Sequence, residues 1–267
     1  MIRIPLLKQT IVANYKLVAI FLAVLAMYFI IIASMFDPKA TDGMTAMLEA
    51  LPKEYVDAFG FTISDPTLIG FLAGYFYGYL IILFPMIYDC IVSNRLIAAH
   101  VNKGSMSYIL STPTTRKSVA ATQALFLIGS VTLLIGFVTA LGIFVCNHLF
   151  PGELDVPKFL LLNLGALLLH YALSGIGFFA SCLFNDTKYS VAVGAGIPIA
   201  FLLIQMLANM GGDIENLKYA TLLTLFNPTA IVDGASSVPP SFAALGILAA
   251  ILYISGIYIF HKRDLPL

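Results

Sequence analysis

The chain has 267 residues, of which 60% are hydrophobic and only 10% are charged, whereas about a quarter of the residues in an average soluble domain are charged. This composition excludes an ordinary water-soluble domain and predicts a protein whose main solvent is a lipid bilayer. The formal net charge of zero excludes nucleic-acid binding through a basic surface.

Six segments of the sequence are apolar enough and long enough to cross a membrane. A hydrocarbon core of about 30 Å requires about 20 mostly apolar residues in a helix, because lipid offers no hydrogen bonds to the backbone. The predicted spans are residues 17–36, 68–87, 119–146, 159–184, 191–210 and 242–260. The predicted fold class is therefore all-α, a polytopic membrane protein with six transmembrane helices in one domain over residues 1–267.

An amphipathic segment precedes the first span. Apolar residues recur there at helical spacing, at Ile4, Leu7, Ile11 and Tyr15. Basic residues lie among them, at Arg3, Lys8 and Lys16. This pattern predicts an N-terminal helix that lies in the membrane interface.

A second amphipathic segment, residues 42–59, follows the first span. Its apolar residues recur at intervals of three and four, opposite Glu49, Lys53 and Glu54, which predicts a helix on the outer surface. Pro52 interrupts the pattern, so two short helices are expected in place of one.

The distribution of basic residues predicts how the chain is oriented in the membrane. With the N-terminus in the cytoplasm, ten basic residues lie on the cytoplasmic side: Arg3, Lys8, Lys16, Arg95, Lys103, Arg116, Lys117, Lys188, Lys262 and Arg263. Four lie on the other side: Lys39, Lys53, Lys158 and Lys218. Membrane proteins usually carry such an excess of Lys and Arg on the cytoplasmic side. The sequence therefore predicts that both termini are cytoplasmic.

The second span contains the clearest packing signal. Gly70, Gly74 and Gly78 recur at four-residue spacing, which allows the backbone of another helix to approach closely. Tyr75 and Tyr79 lie one turn apart on the same span, and their hydroxyls favour protein or water over lipid as a neighbour. Two interpretations stay open: tight helix packing with tyrosines near the outer interface, or the lining of a substrate path.

The connection between the second and third spans has the pattern of a cytoplasmic helical hairpin over residues 94–110. The first predicted helix, residues 94–103, carries an apolar-leaning stripe made of Leu96, Ile97, His100 and Val101. Lys103 lies in its last turn and Gly104 is its predicted C-cap. A second short helix is predicted over residues 105–110, and Thr114 can cap the third span. Such a hairpin suits docking on a partner.

His170 is the only ionisable residue near the middle of a predicted span. A titratable group inside a membrane is a functional candidate, so His170 and Gln205 join the two tyrosines as candidate substrate-path residues. The alternative is a neutral imidazole that bonds to a neighbouring helix, for instance through Asn163, Gln123 or Gln205.

The sequence lacks the motifs of the common catalytic sites. It contains neither G-x-x-x-x-G-K-[ST] nor H-E-x-x-H. Ser174, with His170 one turn earlier, suggests a serine protease, but no orienting acid or obvious oxyanion site accompanies them. Three cysteines lie far apart without C-x-x-C spacing, at Cys90, Cys146 and Cys182. We therefore predict no catalytic residue, no metal site and no disulfide framework.

Residues 102–117 read NKGSMSYILSTPTTRK. They resemble the inner-loop signature of type-2 ATP-binding-cassette (ABC) export permeases, in which a Gly-small-hydrophobic run leads to L-L-S-x-P-x-x-R. The matching residues are Ile109, Leu110, Ser111, Pro113 and Arg116. Residues 48–54, LEALPKE, the following Phe59 and Gly60, and the tail FHKRDL at 260–265 also resemble this family. The likeness covers essentially the whole chain.

The resemblance implies a transport subunit of the bacterial cytoplasmic membrane. Such a permease pairs with a second copy or a sister subunit, at an interface near the glycines of the second span. Two ATPase subunits bind ATP and Mg and dock beneath the inner hairpin, so this chain itself is expected to hold no cofactor. The implied coupling residues are Arg95, Leu96, Ile97, His100, Val101, Lys103, Tyr108 and Arg116. The family often has an acidic residue where this chain has His100, so the ion pair to the ATPase is expected to differ.

The mostly apolar spans favour an amphiphilic substrate such as a peptide, an antibiotic or a lipid. Two other classes of function stay open on the sequence. One is an intramembrane enzyme that uses His170, and the other is a membrane scaffold or immunity protein that only binds a partner.

Overall fold

The computed structural model describes residues 2–37, 52, 56, 58, 66–111 and 114–263, and of Asp213 the backbone alone. Within these residues the chain is helical and has no β-strand. Six helices are long and apolar enough to cross a membrane, which confirms the predicted all-α fold with six spans. Nearly all of the outer segment 42–59 lies outside the described residues, as do Phe59, Gly60 and Pro113 of the family-like motifs.

The six long helices are α1 (Ile4–Met35), α2 (Leu68–Leu96), α5 (Arg116–Leu149), α6 (Val156–Leu183), α7 (Thr187–Asn209) and α9 (Val238–Lys262). In the described part of the chain three short helices accompany them: α3 (Ala98–Asn102), α4 (Ser105–Ser111) and α8 (Pro228–Val232). Two 3₁₀ segments, Gly212–Ala220 and Leu222–Leu225, connect α7 to α8. The 34 residues of α5 extend over about 50 Å at a rise of about 1.5 Å per residue, so this helix is longer than the hydrocarbon core is thick.

The predicted surface segment and the first span form one helix, α1. After Pro5 in its first turn, no proline or glycine interrupts the helix before it ends at Met35. Its N-terminal half is bonded to α5, where Thr10 Oγ1 donates to Gln123 Oε1 at 3.2 Å. Large apolar side chains are exposed along its other side, at Ile4, Ile11, Val12, Tyr15 and Ile20. The amphipathic start is therefore part of a long helix that presents an apolar face.

The second long helix, α2, changes its helix type within the span. Leu68–Leu72 is α-helical, Ala73–Leu80 is π-helical, and Ile81–Leu96 is α-helical again. Pro85 lies inside the last part. Because proline has no N–H, the carbonyl of Ile81 loses the donor that an ordinary helix supplies four residues later.

The central helix of the bundle is α6, which packs against α2, α5 and α9. Small residues let it approach its neighbours closely. A Cβ added at Gly177 would overlap Ser93 Oγ on α2, and one added at Gly194 on α7 would lie 3.1 Å from the Gly177 Cα. Side chains at these positions would therefore separate three helices.

The N-terminal turn of α1, the hairpin α3–α4 and the C-terminal end of α9 lie at the same end of the bundle. The Arg3 backbone N–H donates to Thr122 Oγ1 near the start of α5 at 3.0 Å. Arg263, just after α9, donates through Nη1 to the Cys182 carbonyl at the end of α6 at 2.6 Å. We call this the basic end, because its described residues include Arg3, Arg95, Lys103, Arg116 and Arg263. The positive-inside rule predicts that it faces the cytoplasm.

Candidate functional site

A hydrogen bond to α6 interrupts the helix between α2 and α3. In a continuous helix the Ala98 N–H would donate to the Asn94 carbonyl, but here it donates to Ser181 Oγ at 2.9 Å. Ile97 leaves the helical conformation, with φ −131° and ψ −61°. The predicted single helix over 94–103 is therefore wrong: α2 ends at Leu96 and α3 begins at Ala98, because a tertiary hydrogen bond replaces a helical one.

A glycine forms the turn between α3 and α4. Gly104 has φ of 70°, the left-handed region that glycine adopts without strain, as expected for the predicted C-cap. The second predicted helix is present as α4. The cap of the next helix differs from the prediction, because Thr115 rather than Thr114 accepts the Ser118 N–H at the start of α5.

The apolar residues of the predicted coupling stripe are buried inside the chain itself. Leu96, Ile97 and Val101 are 1%, 0% and 5% exposed. Their side chains bury apolar surface against the bundle, so they hold the hairpin in place and leave a partner only the polar side. On that side Arg95 and Lys103 are exposed, and Tyr108 is 80% exposed.

His100 connects the two short helices. Its Nδ1 lies 3.0 Å from Ser105 Oγ, and the Ser105 hydroxyl donates to the His100 carbonyl at 3.2 Å. Partial burial and the charge of Lys103 lower the pKa of His100. Since an unperturbed histidine has a pKa of about 6.5, this imidazole is uncharged at neutral pH. It stabilises the hairpin and supplies no charge to a partner.

A groove runs between the start of α1 and the hairpin. Two adjoining parts, of about 410 and 560 Å³, share Leu6, Gln9, His100 and Ile109 in their linings. Basic residues line it from both sides, at Arg3, Arg95 and Lys103, and its described lining contains no acidic residue. We call this the basic groove. Its potential is positive and favours an acidic surface.

Arg116, another predicted coupling residue, bonds within the chain. Its Nη1 donates to the Arg263 carbonyl at 2.7 Å, which joins the start of α5 to the end of α9. Burial, with a further contribution from Arg116, lowers the pKa of Arg263. These arginines fasten helix ends together at the basic end.

His170 lies on α6 and is fully buried, with 0% exposure. Its Nδ1 is 3.0 Å from Asp89 Oδ2, and its Nε2 is 2.8 Å from the Ile81 carbonyl oxygen. The three partners suggested by the sequence all bond elsewhere. Asn163 donates to the Phe159 carbonyl, Gln123 accepts from Thr10, and Gln205 donates to Asn209. Both true partners of the histidine lie on α2.

Asp89 is not among the site residues predicted from the sequence, because the predicted second span ends at residue 87. The helix continues to Leu96, and Asp89 is only 2% exposed. A signal was present, since Ile81, Pro85 and Asp89 recur at four-residue spacing and therefore share one face of a helix. An acid one turn after a proline on that face marks a polar site inside the span.

Ser174 is not arranged as a nucleophile beside His170. Its hydroxyl donates to the His170 main-chain carbonyl at 2.6 Å and lies 2.8 Å from the Tyr253 hydroxyl. Both ring nitrogens of His170 are occupied by groups of α2, so the ring accepts no proton from Ser174. This geometry does not favour the intramembrane hydrolase.

A cleft of about 400 Å³ opens between α2, the end of α7 and the segments that follow α7. Its lining includes Gly78, Ile82, Gln205, Asn209 and Thr224. The Gln205 amide is held by Asn209 and by Thr224, whose hydroxyl donates to Gln205 Oε1 at 3.0 Å. The structure therefore brings Gln205 and Gly78 together. His170, Tyr75 and Tyr79 do not line this cleft.

The predicted glycine stripe is mostly covered by the chain itself. Gly70 and Gly74 are buried, whereas Gly78 is half-buried beside the cleft. Tyr75 and Tyr79 are half-buried on the π-helical part of α2. A second permease copy would reach this stripe mainly at Gly78.

Residues 8–265 match the family described as ABC-2 family transporter protein. The matched range begins inside α1 and extends beyond α9, so it includes most of α1, all the other long helices, the hairpin and the buried Asp89–His170 pair. A comparison with curated proteins gave no match.

Proposed function

We propose that the chain, which belongs to the ABC-2 family of transporter proteins, exports an amphiphilic substrate. The energy comes from ATP that a separate subunit hydrolyses. Membership makes the chain a membrane-spanning ABC transporter subunit that works with ABC ATPases. The finer proposal is that two ATPases dock at the basic end in the cytoplasm of a bacterium. A second copy or a sister permease completes the transporter.

The coupling proposal rests on the attachment of the hairpin α3–α4 to two spans, α2 and α6. α3 follows α2 after one residue, and the Ala98–Ser181 bond joins it to the end of α6. The His100–Ser105 contact joins α3 to α4. A hairpin bonded in this way transmits a displacement to the bundle, because an ATPase that pushes on it would act on the ends of both α2 and α6.

The chemistry of the docking surface differs from the usual pattern of the family. Exposed positions at the end of α2 and on the hairpin offer two cations, Arg95 and Lys103, and the phenol of Tyr108. The basic groove beside them has no acidic residue in its described lining. An ATPase with an acidic docking surface would complement it, and such charge complementarity sets both partner choice and association rate.

The lining of the cleft beside Gln205 supports the proposal that the substrate is amphiphilic. Amide and hydroxyl groups, at Gln205, Asn209 and Thr224, meet apolar groups, at Ile82 and Phe226, in one lining. Sites that bind small molecules combine a mostly apolar wall with a few placed polar groups. A peptide, an antibiotic or a lipid has both kinds of surface.

Transport is tested with the chain and the ATPase that co-purifies with it, reconstituted together in liposomes. We expect ATP-dependent outward movement of a labelled amphiphile and no ATP hydrolysis by the chain alone. Substrate turnover by the chain alone would instead favour an intramembrane enzyme. A stable complex without ATP-dependent flux would favour a scaffold.

Docking is tested by reversing charges in the basic groove. We expect Arg95→Glu combined with Lys103→Glu to abolish co-purification of the ATPase. The matched control is Lys117→Glu with Lys188→Glu, which makes the same change in charge at exposed positions of the same end, outside the groove lining. Equal retention of the ATPase by both double variants would contradict docking at the groove.

A further inference from the structure

The contact between α2 and α6 depends on a carbonyl that Pro85 leaves without its helical donor. Ile81 lies four residues before Pro85, and His170 Nε2 lies 2.8 Å from the Ile81 oxygen. A carbonyl oxygen only accepts hydrogen bonds, so Nε2 must carry the hydrogen. This contact therefore assigns the proton of one ring nitrogen.

Because Nε2 carries the hydrogen, the chemistry between Nδ1 and Asp89 is also determined. A neutral imidazole with a hydrogen on Nε2 has only a lone pair on Nδ1. Asp89 Oδ2 lies 3.0 Å from that atom, and an ionised carboxylate also offers only lone pairs. Two acceptors do not hold this distance without a hydrogen, so the pair shares one additional proton.

The surroundings favour a pair without separated charges. His170 and Asp89 are 0% and 2% exposed, and Asp89 Oδ1 has no hydrogen-bond partner among the described residues. A buried carboxylate requires several donors, whereas a neutral carboxyl group tolerates a bare carbonyl oxygen much better. The favoured form is therefore an Asp89 carboxyl group that donates to Nδ1.

Among the described residues, the groups around the pair supply no compensating charge. The titratable side chains that interact with Asp89 are Tyr88 and Cys90 on α2 and Tyr253 on α9. Phenol and thiol groups are neutral near pH 7. From α5 comes the Ser130 hydroxyl, and from α1 the ring of Phe21, which packs on Tyr88 at 5.6 Å between centroids.

We infer that the Asp89–His170 pair is a proton-binding site inside the membrane, which holds one proton while α2 and α6 are in contact and releases it when they separate. On separation, water reaches the pair. It hydrates the Asp89 carboxylate, so that burial no longer penalises the ionised form. The Asp89 O–H bond breaks, its electrons stay on the carboxylate, and the proton passes to water. Movement of α2 against α6 is thereby coupled to one proton.

The bound proton is tested on the purified chain in lipid nanodiscs, without any ATPase. We expect infrared spectra of ¹³C-aspartate-labelled protein at neutral pH to contain the band of one protonated carboxyl group. Asp89→Asn should remove this band, and its amide N–H can still donate to Nδ1, so the fold is kept. The control, Asp155→Asn at a partly exposed helix cap, should retain it.

A ¹⁵N spectrum of His170 completes the test. A single protonated nitrogen together with the carboxyl band, or two protonated nitrogens without that band, each corresponds to one bound proton and supports the inference. An ionised Asp89 beside a ring with one protonated nitrogen would overturn it. Both readouts come from the wild-type chain, so they hold even if a variant fails to fold.

Release of the proton is tested separately, in the complex with the ATPase locked by a non-hydrolysable ATP analogue. We expect the carboxyl band to disappear in the locked complex. A band that persists there would overturn the release step. Failure to form any complex would instead contradict the proposed function and leave the result from the isolated chain standing.

Discussion

The Ala98 backbone N–H donates to Ser181 Oγ at 2.9 Å, and this bond joins the hairpin to α6. Ser181 is fully buried, so Ser181→Ala would leave the N–H without a partner at a cost of about 1–3 kcal/mol. We expect faster amide hydrogen exchange over residues 98–111 and weaker coupling of ATP hydrolysis to transport. Ser255→Ala is the control, because that exposed hydroxyl bonds only within its own helix. Unchanged exchange in Ser181→Ala would contradict a fastening role for this bond.

Removal of the His170 imidazole should destabilise the bundle. His170→Phe leaves both the Ile81 carbonyl and Asp89 without their partner, which should cost at least about 1–3 kcal/mol. Pro85→Ala adds an N–H four residues after Ile81, so the double variant Pro85→Ala/His170→Phe should recover part of the loss. Thermal denaturation of the wild type, the two single variants and the double variant in detergent gives the coupling energy between Pro85 and His170. Strictly additive effects would show that Pro85 and His170 act independently.

Acid should loosen the hairpin through His100. Its pKa is lowered in the folded protein, so between the lowered value and about 6.5 the unfolded chain binds more protons, and stability falls as the pH decreases through that interval. We expect exchange protection of α3 and α4 to decrease as the pH falls below about 6.5. The variant His100→Asn has no titratable group there and should lose this dependence. The same acid response in both proteins would assign the effect to another residue.

The close approach of α6 to α2 predicts that alanine substitution affects stability very differently at Gly177 and at Gly129. Gly177→Ala would place a Cβ 2.8 Å from Ser93 Cβ and in overlap with its hydroxyl, and such overpacking costs about 1–3 kcal/mol. Gly129→Ala is the matched control, since nothing lies within 4 Å of the added carbon and alanine favours a helix by about 1 kcal/mol. The first variant should lower the melting temperature and the second should raise it or leave it unchanged. Ser93→Gly should rescue Gly177→Ala.

The number and type of the spans follow from the sequence because lipid imposes a simple local condition. Every backbone polar group must be bonded within its own helix, so about 20 apolar residues in a row are sufficient evidence of a span. The turn at Gly104 is local in the same sense, since it depends on the backbone freedom of one residue. Family membership was also accessible, because the inner-loop signature around Arg116 is a contiguous run of residues.

The partners of individual side chains depended on the tertiary structure. Periodicity placed Leu96, Ile97 and Val101 on one face, but it carries no information on whether that face meets a partner or the chain's own bundle. Asp89 was counted outside the membrane because an apolar window ends at the first charge, whereas the helix continues and a histidine 81 positions away compensates the acid.

The sequence by itself therefore determined an all-α membrane protein of six spans, its family and its clustered basic residues, since each of these properties is local or additive along the chain. Only the tertiary structure decided that Ser181 interrupts the predicted hairpin helix and that Pro85, Asp89 and His170 form one unit. The physical reason is that a hydrogen bond between distant residues depends on where packing places two helices, and no pattern within either helix specifies that distance.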